Sequence, residues 1–179
     1  MNRRINDFTI GRANKIEFKQ ATPNNLYDIR LCGKEFLDFI KDFKEKFLDG
    51  KISVLTAHYK NTLVGILVTE DKSSKVNSIE RILPMMCIHL IYVNKSFRNQ
   101  GIATSLLEYF VKNQKEVGTA SVFAKIPKKY RKGIEFFLKN DFYIIKRKRN
   151  KIILKRKLWN DFGLKKCLLI GDSLNDIFI

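Results

Sequence analysis

The amino-acid pattern points to a mixed α/β single domain with elements in the order β-α-α-β-β-β-α-β-α-β-β. The chain has 179 residues, 45% of them hydrophobic, which suits one globular unit with a sizeable core. Apolar residues alternate at the period of a strand in several windows and recur at helical spacing in others. No internal repeat and no linker-like segment divides the chain. Residues 1–14 read as an N-terminal extension, 15–159 as the domain and 160–179 as a C-terminal accessory segment.

Each element has a local reason. IEFKQATP, Ile16 to Pro23, begins as an alternating strand and ends as a helix start, with Thr22 suited to the N-cap and Pro23 to the first helical position. That helix runs to about Leu31, where Cys32-Gly33 breaks it. A second helix carries Phe36, Phe39, Ile40, Phe43 and Phe47 at helical spacing and ends at Asp49-Gly50. Two strands, ISVLTAHY and TLVGILVTE, are joined by the Lys60-Asn61 turn. The polar DKSSKVNS reads as a loop, and Pro84 precedes a buried strand from Met85 to Val93. Thr104 to Lys112 reads as a helix burying Leu106, Leu107, Phe110 and Val111. TASVFAKI is a further strand and YRKGIEFFLKN a further helix. DFYIIKRKRNKIILKRKL is a hairpin turning near Arg149-Asn150.

Composition narrows the function classes. The opening MNRRINDFTIGRANK lacks an apolar core of signal-peptide length, and no stretch approaches the ~20 apolar residues of a membrane helix. The expectation is a cytoplasmic protein without membrane association. Cys32, Cys87 and Cys167 are too few and too scattered for a disulfide scaffold or a zinc site, and no metal is expected. Lys and Arg number 35 against 18 Asp and Glu, a formal net charge of +17. Eight of the twelve residues from Lys146 to Lys157 are basic and none is acidic. Such a field attracts polyanions, namely nucleic acid, an acidic protein or a phosphorylated cofactor, although a solvated basic hairpin reads the same way.

The chemistry concentrates in RNQGIA, Arg98 to Ala103, between the strand ending at Val93 and an amphipathic helix. A helix entered from a strand leaves its first N–H groups unpaired and its positive dipole end exposed, a setting that binds phosphate if side chains leave room. Gly101 has no Cβ where an anion would approach, Ala103 keeps the next position nearly as open, and Arg98 adds a permanent charge. By itself the glycine also fits an ordinary strand–helix turn. The chain has neither a Gly-x-x-x-x-Gly-Lys-Ser/Thr loop nor a triple-glycine dinucleotide fingerprint.

Arg-x-x-Gly-x-Ala in this context resembles the acyl-CoA pyrophosphate loop of the GNAT N-acetyltransferase superfamily. IEFKQATPNNLYDI is similar to that family's opening strand and helix, and GIEFFLKNDFYII to its late Tyr-x-x-x-Gly-Phe segment, so the likeness spans roughly Ile16 to Leu158. The resemblance implies a mixed, mostly antiparallel central sheet flanked by helices. It implies acetyl-CoA as co-substrate, lying where the strand ending at Val93 splays from the next. Backbone groups of Ile91, Tyr92 and Val93 would then bind the pantetheine arm. The N–H groups of Gln100, Gly101, Ile102, Ala103 and Thr104, flanked by Arg98 and Asn99, would hold the pyrophosphate. The implied reaction is direct attack of a primary amine on the thioester, which needs a base, oxyanion stabilisation and a proton for the leaving thiolate.

His89 is the candidate base. Strand alternation sets Cys87, His89 and Ile91 on one face, and histidine can take a proton near neutral pH. A half-buried His bonded to backbone is the structural alternative. The candidate acid departs from the family pattern: Phe137 stands where most members carry Tyr, and Asp141 where they carry Gly. Asn140 is then the expected left-handed residue, and Tyr130, near the same helix end, the substitute proton donor. The other reading of this departure is a catalytically weak or inactive basic module on the same fold, binding nucleic acid or an acidic protein. The resemblance places the acceptor near Cys32-Gly33 and Arg149-Asn150-Lys151. The basic rim disfavours polycationic amines and suits an amine on an anionic carrier, such as tRNA, a ribosome or an acidic protein. At the chain's end, CLLIGDSLNDI resembles the magnesium motif of haloacid-dehalogenase-type phosphatases, but the upstream Asp-x-Asp loop that family needs is missing. The segment reads instead as an accessory element packing on the domain or on a second subunit, which leaves a homodimer open.

Overall fold

The computed structural model describes residues 7–10, 14–32, 40–73 and 84–159. Eight strands, β1 (Asp7–Ile10), β2 (Asn14–Gln20), β3 (Ser53–Tyr59), β4 (Thr62–Asp71), β5 (Met85–Val93), β6 (Ser121–Pro127), β7 (Tyr143–Arg147) and β8 (Lys151–Lys157), form one sheet in the order β1-β2-β3-β4-β5-β6-β8-β7. Only β5 and β6 run parallel; every other neighbouring pair is antiparallel. The α-helices among the described residues are α1 (Leu26–Cys32), α2 (Phe43–Leu48), α3 (Ile102–Glu116) and α4 (Arg131–Lys139). This is the expected mixed, mostly antiparallel sheet with the expected element order, plus β1 at its edge. The accessory segment 160–179 with Cys167 and GDSLND, the loop residues 74–83, and Gly33, Phe36 and Phe39 lie outside the described residues.

Two apolar clusters hold helices to opposite faces. On one face, Ile29 of α1 and Phe43 and Phe47 of α2 pack with Val54, Ile66 and Val68. On the other, Leu106, Leu107, Phe110 and Val111 of α3 and Phe137 of α4 pack with Phe18, Leu67, Ile88 and Leu154. β4 is therefore covered on both sides, which is why it reads as a continuous apolar run. Burying Ile66, Leu67 and Val68 completely stabilises the fold by roughly 1.5–3 kcal/mol for each side chain.

Local signals explain the boundaries. Thr22 is the N-cap of a 3-10 turn, Pro23–Asn25, that leads into α1, and the Asn25 side chain reaches back: its Oδ1 accepts from the Thr22 backbone N–H at 2.9 Å and from the Thr22 hydroxyl at 3.0 Å. Lys60 (φ 46°) and Asn61 (φ 65°) are both left-handed, the requirement of a two-residue hairpin turn whose twist matches its strands. Of the expected second helix, the described residues show the part from Phe43 to Leu48. Asp42 adopts φ 56°, so α2 starts at Phe43 and Ile40 packs from the bend before it.

Candidate active site

β5 and β6 pair from Met85↔Ser121 to Ile88↔Ala124 and no further. β6 stays bonded to β8 as far as Pro127↔Lys151, while β5 follows β4 to Val93. The two strands part because their other neighbours hold them. A bulge adds to the divergence: Val68 pairs with Leu90 and Thr69 with Ile88, so His89 is an extra residue with no partner on β4. Bulges bend a strand and raise its twist. Between the parted strands lies a cavity of about 750 Å³, walled by β5, β6, α4 and the start of α3.

The bulge corrects the face assignment. Met86 and Ile88 before it, and Ile91 and Val93 after it, pack toward α3 and α4. Leu90 and Tyr92 pack toward α1 and α2. Simple alternation therefore fails at His89, and Ile91 is on the face opposite Cys87, not beside it.

Gly101 is the N-cap of α3 with φ +79°, a left-handed conformation that glycine adopts at no steric cost. No side chain caps this end of the helix, and the first intrahelical bond runs from Ser105 N–H to the Gly101 carbonyl at 3.0 Å. The N–H groups of Ile102, Ala103 and Thr104 thus have no intrahelical acceptor, and all three residues line the cavity at the positive end of a fifteen-residue helix. Arg98 is pinned beside them: its Nε donates to the Val93 carbonyl at 2.9 Å, and its guanidinium lies over the Tyr92 ring at 5.6 Å. Among the expected cofactor residues, Ile91, Tyr92, Val93, Arg98, Asn99, Gly101, Ile102, Ala103 and Thr104 all line the cavity. Gln100 is exposed and does not line it.

The catalytic candidates border the same cavity. His89 lines it, with its side chain 30% exposed, and its partner is a carboxylate, not backbone: Nε2 lies 2.8 Å from Glu70 Oε2. Tyr130, the residue before α4, also lines it, with the Lys129 ammonium 5.1 Å from its ring centre. Phe137 forms part of the wall, wedged edge-on between Phe136 at 5.3 Å and Phe142 at 4.9 Å. One expectation fails at this turn. Asp141 itself takes the left-handed conformation (φ 62°), whereas Asn140 stays at φ −111° and donates from its side chain to the Phe136 carbonyl at 2.7 Å. Asp tolerates left-handed backbone better than most residues, and the Asp141 carboxylate lies 3.3 Å from Arg156.

Sequence reasoning missed Glu70, because its meeting with His89 depends on a register that composition does not reveal. It also missed Lys125 and Lys132 on the cavity wall. The basic hairpin is closer to the cavity than its sequence position implies. Lys128 N–H donates to the Asn150 carbonyl at 3.0 Å, tying the hairpin tip to the turn that leads into Tyr130. Among the described residues no group of three His, Cys, Asp or Glu side chains gathers as a metal site would require.

Known proteins match this architecture. The sequence profile of the ESCO1/2 acetyl-transferase family matches residues 84–119, the segment from β5 through α3. The PaiA N-acetyltransferase of Thermoplasma acidophilum, solved in complex with coenzyme A, superposes with a TM-score of 0.62 at 17% identity, covering 79% of this chain and 98% of that one. Arabidopsis thaliana NAA60 in complex with acetyl-CoA gives 0.66 at 14% identity, covering 79% and 98%. Arabidopsis thaliana Naa50 in complex with the bisubstrate analogue CoA-Ac-MVNAL gives 0.64 at 13% identity, covering 79% and 97%. No curated protein sequence matches the chain. The chain has the fold of the GNAT N-acetyltransferases.

Proposed function

We propose that this protein is an acyl-CoA-dependent N-acetyltransferase that moves an acetyl group from acetyl-CoA to a primary amine by direct attack. The observation that carries this reading is the cavity between the parted β5 and β6, with the uncapped start of α3 at one end and His89 on its wall. The N–H groups of Ile102, Ala103 and Thr104, with Arg98 beside them, suit a pyrophosphate. Ile91, Tyr92 and Val93 offer the strand edge that β6 leaves unpaired, and an extended pantetheine arm fits such an edge. In the reaction the amine nitrogen bonds to the thioester carbonyl carbon, the C–S bond breaks, His89 takes the amine proton and Tyr130 gives a proton to the thiolate.

An amine-bearing acceptor agrees with relatives solved with bisubstrate analogues. Its finer character follows from charge. Lys125 and Lys132 border the cavity, and the tip bearing Lys148, Arg149 and Lys151 is bonded to the adjoining turn. Like charges repel polycationic amines from this rim, so the amine favoured is one on an anionic carrier. Thiol release from acetyl-CoA, followed over peptides, aminoacyl-tRNA and small polyamines, tests the reading. The expected result is release that depends on the acceptor and is fastest with acidic or nucleic-acid-borne amines. Acetyl-CoA binding without release on any acceptor would contradict it.

A further inference from the structure

We infer that Glu70 is the positioning residue for His89, and that the pair works as a carboxylate–imidazole dyad fixing which ring nitrogen faces the acceptor. The inference rests on the acetyltransferase reading, since it assigns a role within that reaction. Glu70 sits near the end of β4, directly opposite Cys87, and the unpaired His89 lies in the bulge just beyond that pair. The bulge brings the imidazole within 2.8 Å of Glu70 Oε2. Lys72 binds the other carboxylate oxygen, Oε1, which favours the charged form of the acid.

That end of the strand is firmly held. Lys72 N–H donates to the Met85 carbonyl at 2.9 Å, the Ser73 hydroxyl accepts from Met85 N–H at 3.0 Å, and Asp71 Oδ1 accepts from Ser73 N–H at 2.8 Å. The Glu70 side chain is only 14% exposed, so the carboxylate has little freedom to leave the ring. An ionised carboxylate can only accept, so Nε2 must carry the proton in this bond and Nδ1 keeps its lone pair. The dyad therefore turns a basic nitrogen away from Glu70, on the imidazole that borders the cavity. When Nδ1 takes the amine proton, the carboxylate faces the imidazolium and stabilises it. An amide in place of Glu70 could donate to Nε2 and allow the tautomer with a proton on Nδ1, which cannot act as a base.

Two measurements test this. The first needs no acceptor: imidazole NMR of the full chain, wild type against Glu70→Ala. An Nε2-bound proton on His89 protected from solvent exchange in the wild type, and lost in the variant, is the expected result; equal protection in both would overturn the dyad. The second is thiol release from acetyl-CoA with a peptide amine as probe. Glu70→Gln and Glu70→Ala should lower kcat by about tenfold or more with KM for acetyl-CoA unchanged. Glu70→Asp should recover part of the loss, and Glu70→Ala combined with His89→Ala should be no slower than His89→Ala alone. A large loss in His89→Ala with full kcat in Glu70→Ala would overturn the positioning role and leave His89 standing as base. A far larger loss in Glu70→Ala than in His89→Ala would make Glu70 the base itself, contradicting the inference. No loss in His89→Ala would overturn both the base assignment and the dyad that depends on it.

Discussion

In the proposed reaction the proton for the departing thiolate comes from Tyr130, which walls the same cavity as Phe137. Phe137 stands where the resemblance expects a Tyr and is clamped by Phe136 and Phe142, so it adds hydrophobic packing and no proton. Tyr130, more than a third exposed, has the only phenol of the two. Tyr130→Phe should therefore lower kcat by roughly a hundredfold while hardly moving the unfolding midpoint. An unchanged rate would assign the proton to water. At the other histidine, burial first and then the Lys19 charge hold the His58 imidazole below its ordinary pKa of 6.5. Its partner is the Thr56 hydroxyl at 3.1 Å. The unfolded chain then binds a proton more readily than the fold does, so this contribution to stability is complete above about pH 6.5 and falls as pH drops below that value toward the lower folded pKa. His58→Gln should remove that part of the pH slope in urea unfolding. An equal slope in both proteins would contradict the account of His58.

The sheet's central elements set the cavity's shape. At Gly65, opposite Val93, a Cβ would lie 3.1 Å from the Tyr92 carbonyl oxygen and 3.2 Å from a Leu106 methyl, so the glycine lets β4, β5 and α3 meet closely. Gly65→Val should cost about 1–3 kcal/mol in denaturant unfolding and weaken acetyl-CoA binding by shifting Tyr92. Full stability in that variant would mean the contact relaxes freely. Much of this level was legible in the chain: Met85 to Val93 is a strand with the bounds its apolar run implies, and the Lys60-Asn61 turn and the basic hairpin fall where turn chemistry puts them. The bulge was not legible. It depends on how β4 meets β5 across a register that no local pattern encodes, and with it went the facing of Ile91 and the Glu70 contact. The left-handed residue after α4 was misplaced by one position: Asn140 turns its side chain to the Phe136 carbonyl, and Asp141 takes the positive φ. α3 runs on to Glu116 through polar residues that are not buried, and Gly118 at φ +79° closes the turn that follows.

At the scale of the whole molecule, charge and fold divide the labour. The two-sided core builds the cavity, and the net charge of +17 draws anions toward it. Lys148, Arg149 and Lys151 are exposed, and among the described residues none has a carboxylate partner. Replacing all three by Gln should flatten the salt dependence of tRNA binding, by roughly 0.7–0.9 in the log–log slope for each phosphate no longer neutralised. Acetyl-CoA affinity should stay unchanged, since these side chains lie on the rim and not at the start of α3. Equal competition by heparin with an unaltered slope would reduce the hairpin to nonspecific adsorption. Fold class, element order and the glycine-bearing turn into α3 can all be read from the chain because periodicity, a glycine at a strand–helix junction and a basic flank are local properties. The meeting of that turn with His89 and Tyr130 around one cavity is a property of the assembled sheet. Calorimetry with acetyl-CoA on wild type and Gly101→Asp probes the cavity itself. Asp can adopt the left-handed backbone at that N-cap at a cost of about 1–2 kcal/mol, so the fold should persist while its carboxylate occupies the phosphate position. Wild-type binding that disappears in a folded Gly101→Asp variant is the predicted result, and equal affinity in the two proteins would contradict an acyl-CoA site at the start of α3.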